Sequence, residues 1–189
     1  MNFNTSRTLL IVCLIFCAAV YRILPVHILN VAPIGAMALF GGANLKKSWQ
    51  AIFIPLSALF VGDLFLNNVT YKAMNPTFTL FYTGAVWVYV SFALISLIGI
   101  VFLKKATAKN VLFASIGGSI LFFIVSNFGT WLSAGIYPQT FSGLATCYVA
   151  AVPFFVNTLA GDLLFSAILF GVYEFSQRRF FVLAPEKIN

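Results

Sequence analysis

Charge is what this chain lacks. Only 8% of its 189 residues are charged, four of them acidic, while 61% are apolar. A domain of this size facing water needs far more charge, which excludes a soluble globular fold. Histidine occurs once, leaving no zinc motif built on paired histidines, and no Gly-rich Lys-Ser/Thr loop is present to hold a nucleotide phosphate. Cys13 and Cys17 stand four apart inside an apolar run and read as small packing residues, not as a disulfide or metal pair. Neither an enzyme nor a cofactor is expected. No linker or low-complexity tract divides the chain, so residues 1–189 read as a single transmembrane domain.

Long uncharged sequence is abundant, and lipid is the solvent that calls for it. Five long apolar segments run over about 8–24, 49–66, 78–103, 111–132 and 147–175. A sixth, "VAPIGAMALFGGANL" at 31–45, is shorter and Gly-rich. At 1.5 Å per residue, roughly fifteen residues fall short of a hydrocarbon core of about 30 Å. This segment is therefore a short helix hidden inside the bundle or a re-entrant segment, both tolerated where protein covers the backbone. The first apolar run lacks a small-residue cleavage site, and its Cys13, Arg22 and Pro25 do not suit a signal peptide, so it is expected to be retained. The expected fold is all-α, a six-helix transmembrane bundle whose second helix is short.

Basic residues orient it. With six alternating crossings, Arg7, Lys46, Lys47, Lys104, Lys105, Lys109, Arg178, Arg179 and Lys187 fall on one side, leaving only Arg22 and Lys72 opposite. The positive-inside rule then places both termini in the cytoplasm. The net charge of +7 finds its counter-charge in membrane lipid and implies no nucleic-acid partner. The outward connections are 25–30, 67–77 and 133–145. The last two are long and polar, which turns any ligand work toward the outside.

Two of the four acidic residues lie inside apolar segments away from the last turn, in "VGDLF" at 61–65 and "LAGDLLF" at 159–165. A carboxylate at membrane depth costs at least about 2.5–3.5 kcal/mol, so each needs a partner or a purpose. Arg22 ends the first helix at the outer level of Asp63 and is its expected partner. Asp162 shares one helical face with Cys147, Ala151, Phe154, Thr158 and Ser166 at spacings of three and four. That small, polar face suits bundle interior, with Asp162 either an interhelical hydrogen-bond hub or a ligand or coupling group; Asn157 and Thr158 are its polar neighbours. Paired intramembrane aspartates also suggest an aspartyl protease. Phe60 and Leu159, however, stand where its Gly-x-Gly-Asp sequence needs the first glycine. The carboxylates also differ by roughly 13 Å in expected depth, too far to share a proton.

The outer half carries groups suited to a small organic ligand. Asn127 and Trp131 share a face in "SNFGTW", and Tyr137, Tyr148 and Phe154 follow in "GIYPQTFSGLATCYVAAVPFF". Aromatic walls with a few amide and hydroxyl groups are how such pockets are lined, although Trp and Tyr also gather at membrane interfaces.

Taken together, "RILP…NVAPIGAMALFGGANL", "PLSALFVGDLF" and "SNFGTW…YPQTFSGLATCYVAAVPFFVNTLAGDLLF" resemble a family of small bacterial membrane proteins of unassigned function. In length and six-helix layout that family is similar to the S components of energy-coupling-factor vitamin transporters. The resemblance implies a multi-pass protein of the bacterial cytoplasmic membrane that holds a vitamin-like small molecule in an outward pocket, here Asn127, Trp131, Tyr137, Tyr148 and the end of loop 67–77. It also implies a transmembrane coupling subunit with ATPases as partner. S components dock that subunit through Ala-x-x-x-Ala on helix one, where this chain has Cys13-x-x-x-Cys17 with Ala18 and Ala19, so an S-like protein acting alone is the alternative. The rival function is a structural or assembly subunit with no ligand.

Overall fold

The structure, a computed structural model, describes residues 3–23, 31–73 and 77–181. His27, Pro25 and Lys187 lie outside the described residues. Among these residues the fold is helical throughout, with α1 (Phe3–Ile23), α2 (Ile34–Asn44), α3 (Ser48–Phe65), α4 (Ala85–Phe102), α5 (Ala108–Ser133) and α6 (Phe141–Ser176). Single π-helical turns extend α3 over Leu66–Thr70 and α6 over Gln177–Phe181. All of these except α2 are long and apolar enough to cross a membrane, which makes this a membrane-embedded helical protein.

Two helix starts differ from the sequence reading. The fourth begins at Ala85, not near 78, because Gly84 takes a left-handed φ of 83° that breaks any helix arriving from 77–83. The sixth begins at Phe141, not 147. Thr140 caps it by accepting the Gly143 N–H, and the apolar pattern gives no sign of that polar first turn. With 36 residues α6 is about 54 Å long and overreaches the bilayer core.

α2 is the hub. Its 11 residues span only about 16 Å, and every residue from Gly35 to Gly42 is buried. Glycines let its neighbours approach. A Cβ on Gly42 would stand 3.0 Å from the Gly99 Cα of α4, and one on Gly41 would stand 2.6 Å from the Pro55 ring of α3. Such small-residue contacts replace the hydrophobic drive that lipid does not supply between helices. Phe40 packs edge-on against Phe170 and Tyr173 of α6, with ring centres 5.2 and 5.4 Å apart. The helix hidden in the bundle, one of the two readings open for this segment, is what forms.

The two ends of the bundle differ. Arg7, Asn44, Lys104, Tyr173 and Glu174 surround one cavity at the end where α2 finishes. There the Arg7 guanidinium bonds the Tyr173 hydroxyl and lies 5.7 Å from its ring centre. Arg22, Leu66, Tyr71 and Tyr82 gather at the other end. α2 therefore fills only the half of the bundle nearer the basic end.

Candidate functional site

A half-length helix must begin somewhere in the interior, and its first amides then have no partner of their own. α2 begins after Pro33, which has no side-chain oxygen to cap it. The cap comes from α6. The Asp162 carboxylate accepts the backbone N–H groups of Gly35 and Ala36 and, at 2.7 Å, the Ser119 hydroxyl of α5. Gly35 is required for this approach, since its Cβ would fall 2.7 Å from the Asp162 Cγ. Gly161, the preceding residue of α6, lets the chain before α2 lie as close, with Ala32 N 3.0 Å from the Cβ position. One turn further along α6, Ser166 accepts a hydrogen bond of 2.8 Å from Ser115. Asp162 and Ser166 share the buried side of α6 with Cys147, whereas Ala151 and Thr158 of the same expected face are half-buried and Phe154 is exposed. A negative group at a helix N-terminus is also favoured by the helix dipole.

Asp63 is satisfied separately. Its carboxylate pairs with Arg22 at the end of α1, 2.5 Å away, and accepts the Tyr89 hydroxyl of α4 at 2.9 Å. Asp63 is 2% exposed and Arg22 half-buried, so three helices are tied by one charge pair with a buried carboxylate and by a phenol. Tyr82 sits nearby, ahead of α4. Burial pushes its phenol up to about 12, the Asp63 charge adds to the rise, and Arg22 offsets part of it.

Between the two clusters lies a cavity of about 250 Å³ directly over the start of α2. Gly35 and Asp162 form its floor, Arg22 and Tyr82 stand on its wall, and Phe92 and Phe122 supply apolar surface. Thr158 is shared with a second cavity of about 220 Å³ between α5 and α6.

Of the five ligand residues expected from sequence, Asn127 and Phe154 line that second cavity, while Trp131, Tyr137 and Tyr148 are not among its lining. The polar atoms are engaged locally. Asn127 Nδ2 donates to the Phe123 carbonyl one turn back, and Tyr148 donates across to the Ile124 carbonyl of α5 at 2.6 Å. Trp131 lies one turn beyond Asn127, where its indole N–H closes the α5–α6 turn on the Pro138 carbonyl at 2.9 Å and Gln139 donates back to its carbonyl. The structure thus places Asn127 and Phe154 on one cavity and Trp131 in the latched turn that ends α5. Asn157 is half-buried on α6. Tyr82, Tyr89, Phe92, Phe122, Ser115 and Ser119 were missed; in an apolar helix, one Ser or Phe among many carries no signal of its neighbours.

A protein family described as a family of unknown function, DUF6580, matches the chain over residues 2–186. The chain belongs to DUF6580. No curated protein and no solved structure matches it. DUF6580 thus gives this helical membrane architecture a family without giving it an activity.

Proposed function

We propose that this DUF6580 protein is a substrate-binding membrane protein that takes up a vitamin-like small molecule through the cavity above α2. The observation that carries the reading is the interrupted second helix. Its N-terminus ends inside the bundle beneath a 250 Å³ cavity walled by five of the six helices and by Tyr71 and Tyr82. Transporter sites use this device, a half-helix terminus aimed at a chamber near the bilayer midplane. The volume is just below the usual range of roughly 300–1,000 Å³ for ligand pockets, which favours a small substrate.

In this reading the bundle makes six crossings with both termini in the cytoplasm, α2 covering only the inner half of its crossing. The basic residues at the end carrying Arg7 and Lys104 support that orientation, and the cavity then opens outward. The layout is S-component-like, in the bacterial inner membrane. Leu9, Cys13, Phe16, Cys17 and Val20 leave one face of α1 uncovered, open to lipid or to a coupling subunit bearing ATPases. The protein is not an enzyme in this account: Asp63 and Asp162 are held by different partners, which does not suit a proton-sharing dyad.

A structural or assembly subunit is the second reading, favoured by the fact that both carboxylates already have partners within the chain. Native mass spectrometry of the gently solubilised protein separates the two. Uptake predicts a stoichiometric small-molecule adduct; a bare chain carrying only lipid, even after incubation with a vitamin mixture, supports the subunit.

A further inference from the structure

We infer that the molecule held above α2 carries a protonated or quaternary amine. The inference rests on the binding role proposed above and concerns the same cavity.

Charge counting leads to it. Among the described residues the charged groups around the cavity are the half-buried Arg22 and the buried Asp63 and Asp162, and the phenols of Tyr82 and Tyr89 lie in the same region. Arg22 is neutralised by Asp63 at 2.5 Å. Among the described residues no cationic side chain pairs with Asp162, since Arg22, the one cation on the cavity wall, is taken by Asp63. The partners of Asp162 are two backbone amides and one hydroxyl, so only the partial charge at the start of α2, about half a unit, opposes it. One carboxylate facing an interior cavity is thus left short of positive charge in a medium that penalises it heavily. A ligand cation supplies what is missing. An anionic ligand would meet the Asp162 carboxylate on the floor and an Arg22 already paired on the wall.

The rest of the lining suits an amine in particular. Tyr71, Tyr82, Phe92 and Phe122 all border the cavity. Aromatic faces attract ammonium groups, and a carboxylate at the floor of an aromatic enclosure is how such cations are recognised. A bare metal ion would find one carboxylate and too few further oxygens; among the described residues no cluster of three metal-ligating side chains forms.

The test is titration calorimetry of the purified full-length protein with four probes: choline, benzylamine, benzyl alcohol and benzoate. Choline or benzylamine should bind saturably at one site, with the neutral and anionic compounds bound at least about tenfold more weakly. Asp162→Asn, which keeps an oxygen for the α2 amides, should weaken the amine by at least about tenfold. Should that variant not fold, Tyr82→Leu serves instead and should weaken it about tenfold through loss of one aromatic wall. Unchanged amine affinity in a folded variant overturns the inference. Preferential binding of benzyl alcohol or benzoate overturns it as well, while leaving a small-molecule site in place. If none of the four binds, the amine assignment falls, and the search for a co-purified adduct then decides the binding role on its own.

Discussion

Asp162 caps α2 at Gly35, two residues 127 positions apart in sequence that stand so close that a methyl group on Gly35 would fall 2.7 Å from the carboxyl carbon. The contact explains an acidic residue in the middle of an apolar helix. An interrupted helix exposes amides inside the bundle, and a carboxylate from another helix is a strong acceptor for them. Two further relationships, Arg22 with Asp63 and Gly42 with Gly99, fix the elements around it.

Removing the cap should cost more than weakening it. Asp162→Ala leaves two amides without their acceptor, each worth about 1–3 kcal/mol when buried, while the Ser119 hydroxyl keeps the Ser115 carbonyl as an acceptor. Asp162→Asn retains one acceptor oxygen and should lose less. Gly35→Ala should destabilise by forcing the carboxylate away. Thermal unfolding in detergent, read by tryptophan fluorescence, should rank them wild type, Asn, Ala in falling midpoint. Equal midpoints would remove the cap from the account.

The Arg22–Asp63 pair should behave as a coupled unit. Arg22→Ala leaves the buried Asp63 charge unpaired, at about 3–5 kcal/mol; Asp63→Ala leaves the half-buried Arg22 and should cost less, and the double substitution should cost less than the two combined. Tyr89→Phe removes one hydrogen bond to the carboxylate and should cost about 1.5–3 kcal/mol. A double-mutant cycle on folded yield and midpoint checks both. Strict additivity would mean that the pair contributes nothing specific.

How much of this was legible in advance depends on distance along the chain. The apolar runs located α1, α3 and α5 to within a few residues, because hydropathy is a local property. The scarcity of charge singled out Asp63 and Asp162, and one helix end at the right level named Arg22. Nothing local announced that the partners of Asp162 are backbone amides of α2, since an amide leaves no mark in a sequence. The turn latched by Trp131 was hidden for the same reason: its acceptor is the carbonyl of Pro138.

Glycine positions should separate sharply by neighbour. Gly42→Val and Gly99→Val drive side-chain atoms into the facing backbone of α4 and α2, and should abolish folded protein. Gly117→Ala and Gly171→Ala meet nothing within 4 Å and should leave the midpoint unchanged or slightly raised. Size-exclusion profiles of the four variants decide this.

Tyr82 predicts an alkaline limit. Burial, with the Asp63 charge adding, pushes its phenol up to about 12 from the ordinary 10.0. Between these values the folded state holds a proton that the unfolded chain has lost. The stabilisation is complete below pH 10 and is lost as pH rises toward 12. Tyr82→Phe should flatten the fall in midpoint over that interval, and ultraviolet titration should show one fewer late-ionising phenol.

Orientation has a direct test in cells. In a background with Cys13, Cys17 and Cys147 replaced by serine, Lys72→Cys should react with a membrane-impermeant maleimide on intact cells. Lys105→Cys should react only after permeabilisation. The reverse pattern would invert the bundle and turn the cavity toward the cytoplasm.

The central claim is that the cavity over α2 holds a small molecule. Native mass spectrometry of wild type and Thr158→Trp, purified side by side, tests it most directly, because Thr158 borders that cavity and an indole there would fill it. The account predicts a stoichiometric adduct on the wild type that is missing from a Thr158→Trp protein of equal folded yield. No adduct on either protein, or the same adduct on both, would contradict it.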